Sequence, residues 1–107
     1  MGDKAVQTIE RALDIIELLA IQREGLGVTE IGSRIGLHKS TVYRLLNTLA
    51  ERGYIEKDDK YSTYRIGLKF LEISSLYLNQ LELKTEALPY MRKLAEIVGQ
   101  PVHLAIL

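Results

Sequence analysis

In the segment from Lys39 to Leu49, Ser40, Arg44 and Asn47 follow one another at intervals of four and three residues. On a helix of 3.6 residues per turn that spacing stacks them along one side. The chemistry they offer is hydrogen bonding to planar polar edges. Arginine donates two bonds to the O6 and N7 of guanine and asparagine pairs with the N6 and N7 of adenine, so Arg44 and Asn47 are candidate base readers in a major groove, with Tyr43 flanking them. Lys39, Ser40 and Thr41 would occupy the first turn of the same helix, where free backbone N–H groups and short hydroxyls suit phosphate contact. Arg34, on the preceding segment, is a further candidate for contact with the nucleic-acid backbone. Each residue type alone is common on a solvated helix face, so the weight rests on the scaffold that presents them.

That scaffold is legible in VTEIGSRIGLHKSTVYRLL, residues 28–46. A helix-turn-helix needs a small residue where two helices cross, a glycine able to turn sharply, and apolar residues that lock both helices onto a third. Gly32 fits the crossing, Gly36 the turn, and Ile31, Ile35, Leu37, Val42 and Leu45 the lock. A short helix is expected to start near Thr29 as its N-cap and to close at Gly36. The next runs from Lys39 to Arg52, with Val42, Leu45, Leu46 and Leu49 as its inner face and Gly53 as its stop. His38 reads as a helix-entry residue, not a ligand.

Around this pair the chain supplies the rest of a small domain. From Val6 to Ala20, Ile9, Ala12, Leu13, Ile16, Leu19 and Ala20 form one stripe expected to face the core. Ile15 and Leu18 fall outside it, a surplus that fits either a dimer contact or a wide core stripe. Gly25 and Gly27 end this helix. After Gly53, Tyr54–Lys57 and Tyr61–Ile66 alternate as strands around Asp58, Asp59 and Lys60, predicting a β-hairpin with Tyr54, Tyr64 and Ile66 packed beneath it. Lys57, Lys60 and Arg65 could reach phosphates or a minor groove as a wing does. Glu56, Asp58 and Asp59 offset them, so a gripping wing and a merely solvated hairpin both stand.

Beyond Gly67 a helix returns, with Leu68, Phe70, Leu71, Ile73, Leu76, Leu78 and Leu81 spread around most of the wheel, which calls for partners on more than one side. A fifth helix is expected from Thr85 to Val98, with Leu88, Met91, Leu94, Ala95 and Val98 on one face and Pro89 in its first turn. Residues 102–107 look like a buried strand, and His103 within it like a packed core histidine. A lone strand has no sheet to join, so the natural protein is expected to continue.

Composition narrows the function. The 107 residues carry 14 basic and 14 acidic side chains, two histidines and no cysteine. A thiolate metal site is excluded, and two scattered histidines cannot make a zinc site alone. There is no nucleophile with a base partner and no phosphate-cradling glycine loop, so neither an enzyme nor a cofactor is expected. No apolar run approaches a membrane span, and a cytoplasmic protein is expected. Zero net charge argues mildly against nucleic-acid binding by bulk electrostatics. Yet Ser33 to Arg52 holds four basic residues against one acidic residue, a local excess where the DNA-facing helices are placed.

The stretches TIERALDIIELLA and GLHKSTVYRLLNTLAERGYIEKDDKYSTYRIGLKFLEISS resemble the DNA-binding domain of the IclR family, and LPYMRKLAEIVGQPVHLAIL resembles the start of its effector domain. The most specific piece is GLHKSTVYRLLNTLAERGY, with His38 standing where the family usually carries proline or another small residue. The resemblance implies a mainly α fold. It comprises a winged helix-turn-helix DNA-binding domain over residues 1–67, a linker helix over 68–83 and the N-terminal fragment of an α/β effector-binding domain over 84–107. It also implies a bacterial regulator that binds a double-stranded DNA operator as a homodimer or tetramer, with a small-molecule effector taken only by the full-length protein. The alternative is a winged helix used as a protein-interaction module without DNA specificity. That alternative expects apolar or acidic residues on the outer face of the third helix, where Ser40, Arg44 and Asn47 stand instead.

Overall fold

The computed structural model describes residues 2–81 and 88–98. The elements run α1 (Gly2–Ala20), α2 (Val28–Ile35), α3 (Lys39–Glu51), β1 (Ile55–Asp58), β2 (Thr63–Ile66), α4 (Lys69–Gln80) and α5 (Leu88–Val98). The chain divides into two compact units, residues 1–71 and 72–107. The expected strand over 102–107, His103 within it, the helix start at Thr85 and the stop at Gly99 and Pro101 all lie outside the described residues.

In the first unit a single core joins Ile15 and Leu19 of α1, Val28 and Ile31 of α2, and Val42 and Leu46 of α3 to Leu26, Ile55 and Tyr64. Leu18, Ile35, Leu37, Leu45, Leu49, Ala50 and Ile66 pack around it. The strands pair antiparallel, with Ile55 opposite Ile66, Glu56 opposite Arg65, Lys57 opposite Tyr64 and Asp58 opposite Thr63. Period-two alternation therefore sends Ile55 and Tyr64 inward, while Glu56 and Arg65 meet on the outer side. The expected packing of Tyr54, Tyr64 and Ile66 is realised: Tyr64 is buried, Ile66 borders the core, and Tyr54 makes an edge contact with Phe70 at 5.2 Å between ring centroids.

Two expectations need correction, and a third finding was not foreseen. The core-facing side of α1 is turned by about a third of a revolution, at 100° per residue, from the stripe read off the sequence. Ile15 is completely buried, whereas Ile9 and Leu13 are 60% and 49% exposed. Residues 2–10 are exposed on every side, so only the C-terminal half of α1 reaches the core. A wheel averaged over the whole helix gave weight to residues that have no core to face. The surplus apolar surface is real, but its members are Val6, Ile9 and Leu13 and not Ile15 and Leu18.

The second correction concerns α2. It begins one residue before Thr29, with extended Gly27 as its cap (φ −81°, ψ 167°), because burying Val28 brings the first turn forward. The third is a contact that sequence reading missed: Leu26 bridges to Tyr64, each N–H donating to the other's carbonyl at 2.9 and 2.8 Å. The connection between α1 and α2 is thereby bound to the hairpin.

After β2 the chain folds back across the end of α3. The Gly67 N–H donates to the Tyr54 carbonyl at 2.9 Å, and the Lys69 N–H donates to the Gly53 carbonyl at 3.1 Å. The backbones approach so closely that a Cβ on Gly67 would collide with the Gly53 carbonyl oxygen. In the second unit the Tyr77 and Tyr90 rings meet edge to face at 5.8 Å between centroids. Among the described residues, no helix is long and apolar enough to cross a membrane.

Candidate nucleic-acid interface

The geometry of the site starts with the joint between α2 and α3. Gly32 is buried, and a Cβ there would lie 2.7 Å from the Leu37 carbonyl oxygen, so nothing larger fits the crossing. Gly36 adopts the left-handed conformation (φ 80°, ψ 38°), which costs glycine nothing and a residue with a Cβ about 1–2 kcal/mol. The Gly36 and Leu37 N–H groups both donate to the Gly32 carbonyl, at 2.8 and 3.0 Å. Gly32 and Gly36 therefore do what the sequence assigned to them, and the two helices are joined by a turn of three residues, Gly36, Leu37 and His38. Extended His38 (φ −67°, ψ 150°) caps α3 through its backbone, with no side-chain cap bond, and its carbonyl accepts from Val42 N–H at 3.1 Å.

With Val42 and Leu46 fully buried, the far side of α3 is fixed. Ser40, Tyr43, Arg44 and Asn47 are all exposed and at 100° per residue lie within roughly 100° of arc. The surface has three donors or acceptors and one ring, Tyr43 being 46% exposed. Lys39 is exposed at the first turn and Thr41 is half-buried at its edge. The first-turn N–H groups of a helix have no intrahelical acceptor, so this end offers donors to an anion. Thr48, one turn beyond Arg44, directs its hydroxyl back to the Arg44 carbonyl at 3.1 Å and is occupied by its own helix.

One residue of this face was missed. Glu51 falls on the same exposed arc, four residues after Asn47 and seven after Arg44. The i, i+4, i+7 spacing that singled out the others would have found it. A carboxylate there accepts from cytosine N4 and repels a phosphate.

Arg34 and the hairpin residues are placed differently. Arg34 donates to Glu30 Oε1 at 3.0 Å along α2. Arg65 Nε lies 3.7 Å from Glu56 Oε1 across the strand pair, and Lys57 Nζ lies 3.9 Å from Asp59 Oδ1. Lys57 also sits over the Tyr64 ring at 5.9 Å and Lys60 over the Tyr61 ring at 5.3 Å. The hairpin turn is shaped by Asp58, whose carboxylate accepts the Lys60 N–H at 3.0 Å, and by Ser62 at φ 52°. Its tip presents Tyr61, 67% exposed. Among the described residues no cluster of His, Asp or Glu could hold a metal ion.

Comparison with known proteins agrees with this architecture. The profile of the IclR helix-turn-helix domain matches residues 8–59. The chain is 37% identical over 102 residues to the glycerol operon regulatory protein of Streptomyces coelicolor, covering 95% of this chain and 40% of that protein. It is 35% identical over 102 residues to the HTH-type transcriptional regulator XynR of Escherichia coli K12, again across 95% of this chain and 40% of the relative. The chain thus spans about 40% of the length of the curated relatives it matches. Among solved structures, an IclR family transcriptional regulator from Brucella abortus superposes with a TM-score of 0.62 at 31% identity, over 84% of this chain and 34% of the other. A regulator from Alicyclobacillus acidocaldarius shares the fold with a TM-score of 0.69 at 22% identity, over 87% of this chain and 38% of the other.

Proposed function

The chain belongs to the IclR family through its helix-turn-helix domain, and from that premise we propose that it reads operator DNA for a bacterial regulator of metabolism. The observation that carries the proposal is the outer face of α3. Ser40, Tyr43, Arg44 and Asn47 are exposed together on a helix whose opposite side is locked into the core by Val42 and Leu46. In the complex α3 lies in the major groove. Arg44 and Asn47 read bases, while Lys39, Ser40 and Thr41 position the domain on phosphates.

Two copies are required for a two-fold operator, with their reading helices one turn of duplex apart, about 34 Å. The exposed Val6, Ile9 and Leu13 stripe of α1, with the linker helix, holds the pair together. Residues 1–67 act as the reading domain, 68–83 as the linker and 84–107 as part of a domain that binds a small-molecule effector. Effector binding in the full-length protein alters the spacing of the two heads through the linker, and so the affinity for the operator. No catalysis is involved. Several relatives are named as operon regulators or repressors, which supports transcription as the process controlled.

The test is selection of bound duplexes from random genomic fragments at several salt concentrations, with Arg44→Ala as the control. Enrichment of a shared palindrome that disappears with Arg44→Ala is expected. Absence of any enriched sequence at low salt would overturn the reading in favour of a protein-interaction module.

A further inference from the structure

Three exposed cations outside α3 each face a carboxylate. Arg34 lies 3.0 Å from Glu30, Arg65 3.7 Å from Glu56 and Lys57 3.9 Å from Asp59. The fold imposes two of these pairings: Glu30 and Arg34 are one turn apart on α2, and Glu56 stands directly opposite Arg65 in the strand register. Lys39 and Arg44 of α3 and Arg52 at its end make no ion pair among the described residues. On α2, α3 and the hairpin, the cations left without an ion pair among the described residues are thus Lys39, Arg44 and Arg52 along α3 and Lys60 in the hairpin turn.

Binding to arbitrary DNA comes almost wholly from cations that neutralise phosphates and release counterions. A cation with a carboxylate 3–4 Å away presents a dipole instead, and ionic screening over about 10 Å at 0.1 M salt removes most of what remains. We infer that Glu30, Glu56 and Asp59 are specificity-determining residues: they cancel Arg34, Arg65 and Lys57 toward arbitrary duplex and leave discrimination to Arg44 and Asn47. This rests on the DNA-reading function proposed above. The hairpin and α2 then contribute shape and orientation more than grip. The price of selectivity is a lower affinity for every sequence.

The test uses the 107-residue chain, synthetic random-sequence duplexes and the duplex it selects. Combined Glu30→Gln, Glu56→Gln and Asp59→Asn changes are isosteric and lie on the surface; thermal melting monitored by circular dichroism confirms the fold. The triple variant is expected to bind random duplex at least about tenfold more tightly at low salt, with a salt slope steeper by about two to three for three freed cations, while its preference for the selected duplex falls. In the converse variant, Arg34→Gln, Lys57→Gln and Arg65→Gln are expected to leave random-duplex affinity within about twofold. An unchanged slope in the first variant, or a large loss of random-duplex binding in the second, overturns the inference while Arg44-dependent selection stands. Loss of that selection in the wild-type chain would instead sink the DNA-reading function beneath it.

Discussion

The α-carbon of Gly32 faces the carbonyl of Leu37 so closely that a methyl group placed on it would come within 2.7 Å of the oxygen. The obstacle is backbone, held in place because the Leu37 N–H donates to the Gly32 carbonyl at 3.0 Å. Gly32→Ala therefore forces α2 and α3 apart. A loss of about 1–3 kcal/mol is expected, in line with overpacking of a buried contact, and urea unfolding measures it. Wild-type stability in the alanine variant would mean that the crossing can relax.

Arg44→Ala and Asn47→Ala should leave the unfolding midpoint almost unchanged, since both side chains are exposed. Each should cost about 1–3 kcal/mol of discrimination at one base pair of the selected duplex. Fluorescence anisotropy on single-base variants of that duplex separates the two positions. A uniform loss on all sequences would reassign the residue concerned to phosphate contact.

The two apolar faces of α1 predict opposite outcomes. Ile15→Ala removes a fully buried side chain and should destabilise the fold by about 2–5 kcal/mol. Leu13→Glu alters an exposed one and should spare the fold while abolishing self-association, as read by sedimentation velocity across a concentration series. A Leu13→Glu chain that associates like wild type would remove α1 from the proposed dimer contact.

Ser62 holds a left-handed backbone at φ 52°, a conformation that costs an L-residue about 1–2 kcal/mol and glycine nothing. Part of the relief in Ser62→Gly is offset by the greater freedom of glycine in the unfolded chain. A gain of up to about 1 kcal/mol is expected, against a loss for Ser62→Val, whose branched Cβ suits that region least. Equal melting temperatures for the two variants would show that the hairpin turn is too pliant to record the strain.

The helix-turn-helix was readable because its requirements are local: Gly32, Gly36 and the period of Val42 and Leu46 lie within fifteen residues and each has a separate physical cause. The outer face of α3 followed from the inner one by geometry alone. The orientation of α1 did not follow, because which half of a long helix is covered depends on where the other elements stop. The bridge between Leu26 and Tyr64 escaped for a different reason: a single paired residue has no alternation to detect. The pairing of Arg34 with Glu30 was within reach, since four-residue spacing of opposite charges on a helix is itself a pattern. The pairing of Arg65 with Glu56 required the strand register, which composition offset only in sum.

The crossing of Gly67 over Gly53 also bears on how such proteins can be recombined. Gly67, Lys69 and Phe70 all rest on Gly53 and Tyr54, through two hydrogen bonds and one ring contact. A reading head transplanted onto another sensor carries those anchors only if the splice falls beyond Phe70. Joined at Gly67, where the hairpin ends, the graft would bring Tyr54 without its ring partner and ask a foreign backbone to pass where only glycine clears. The first turn of α4 thus travels with the domain before it, and the natural seam for a chimera lies inside a helix and not in the loop that precedes it.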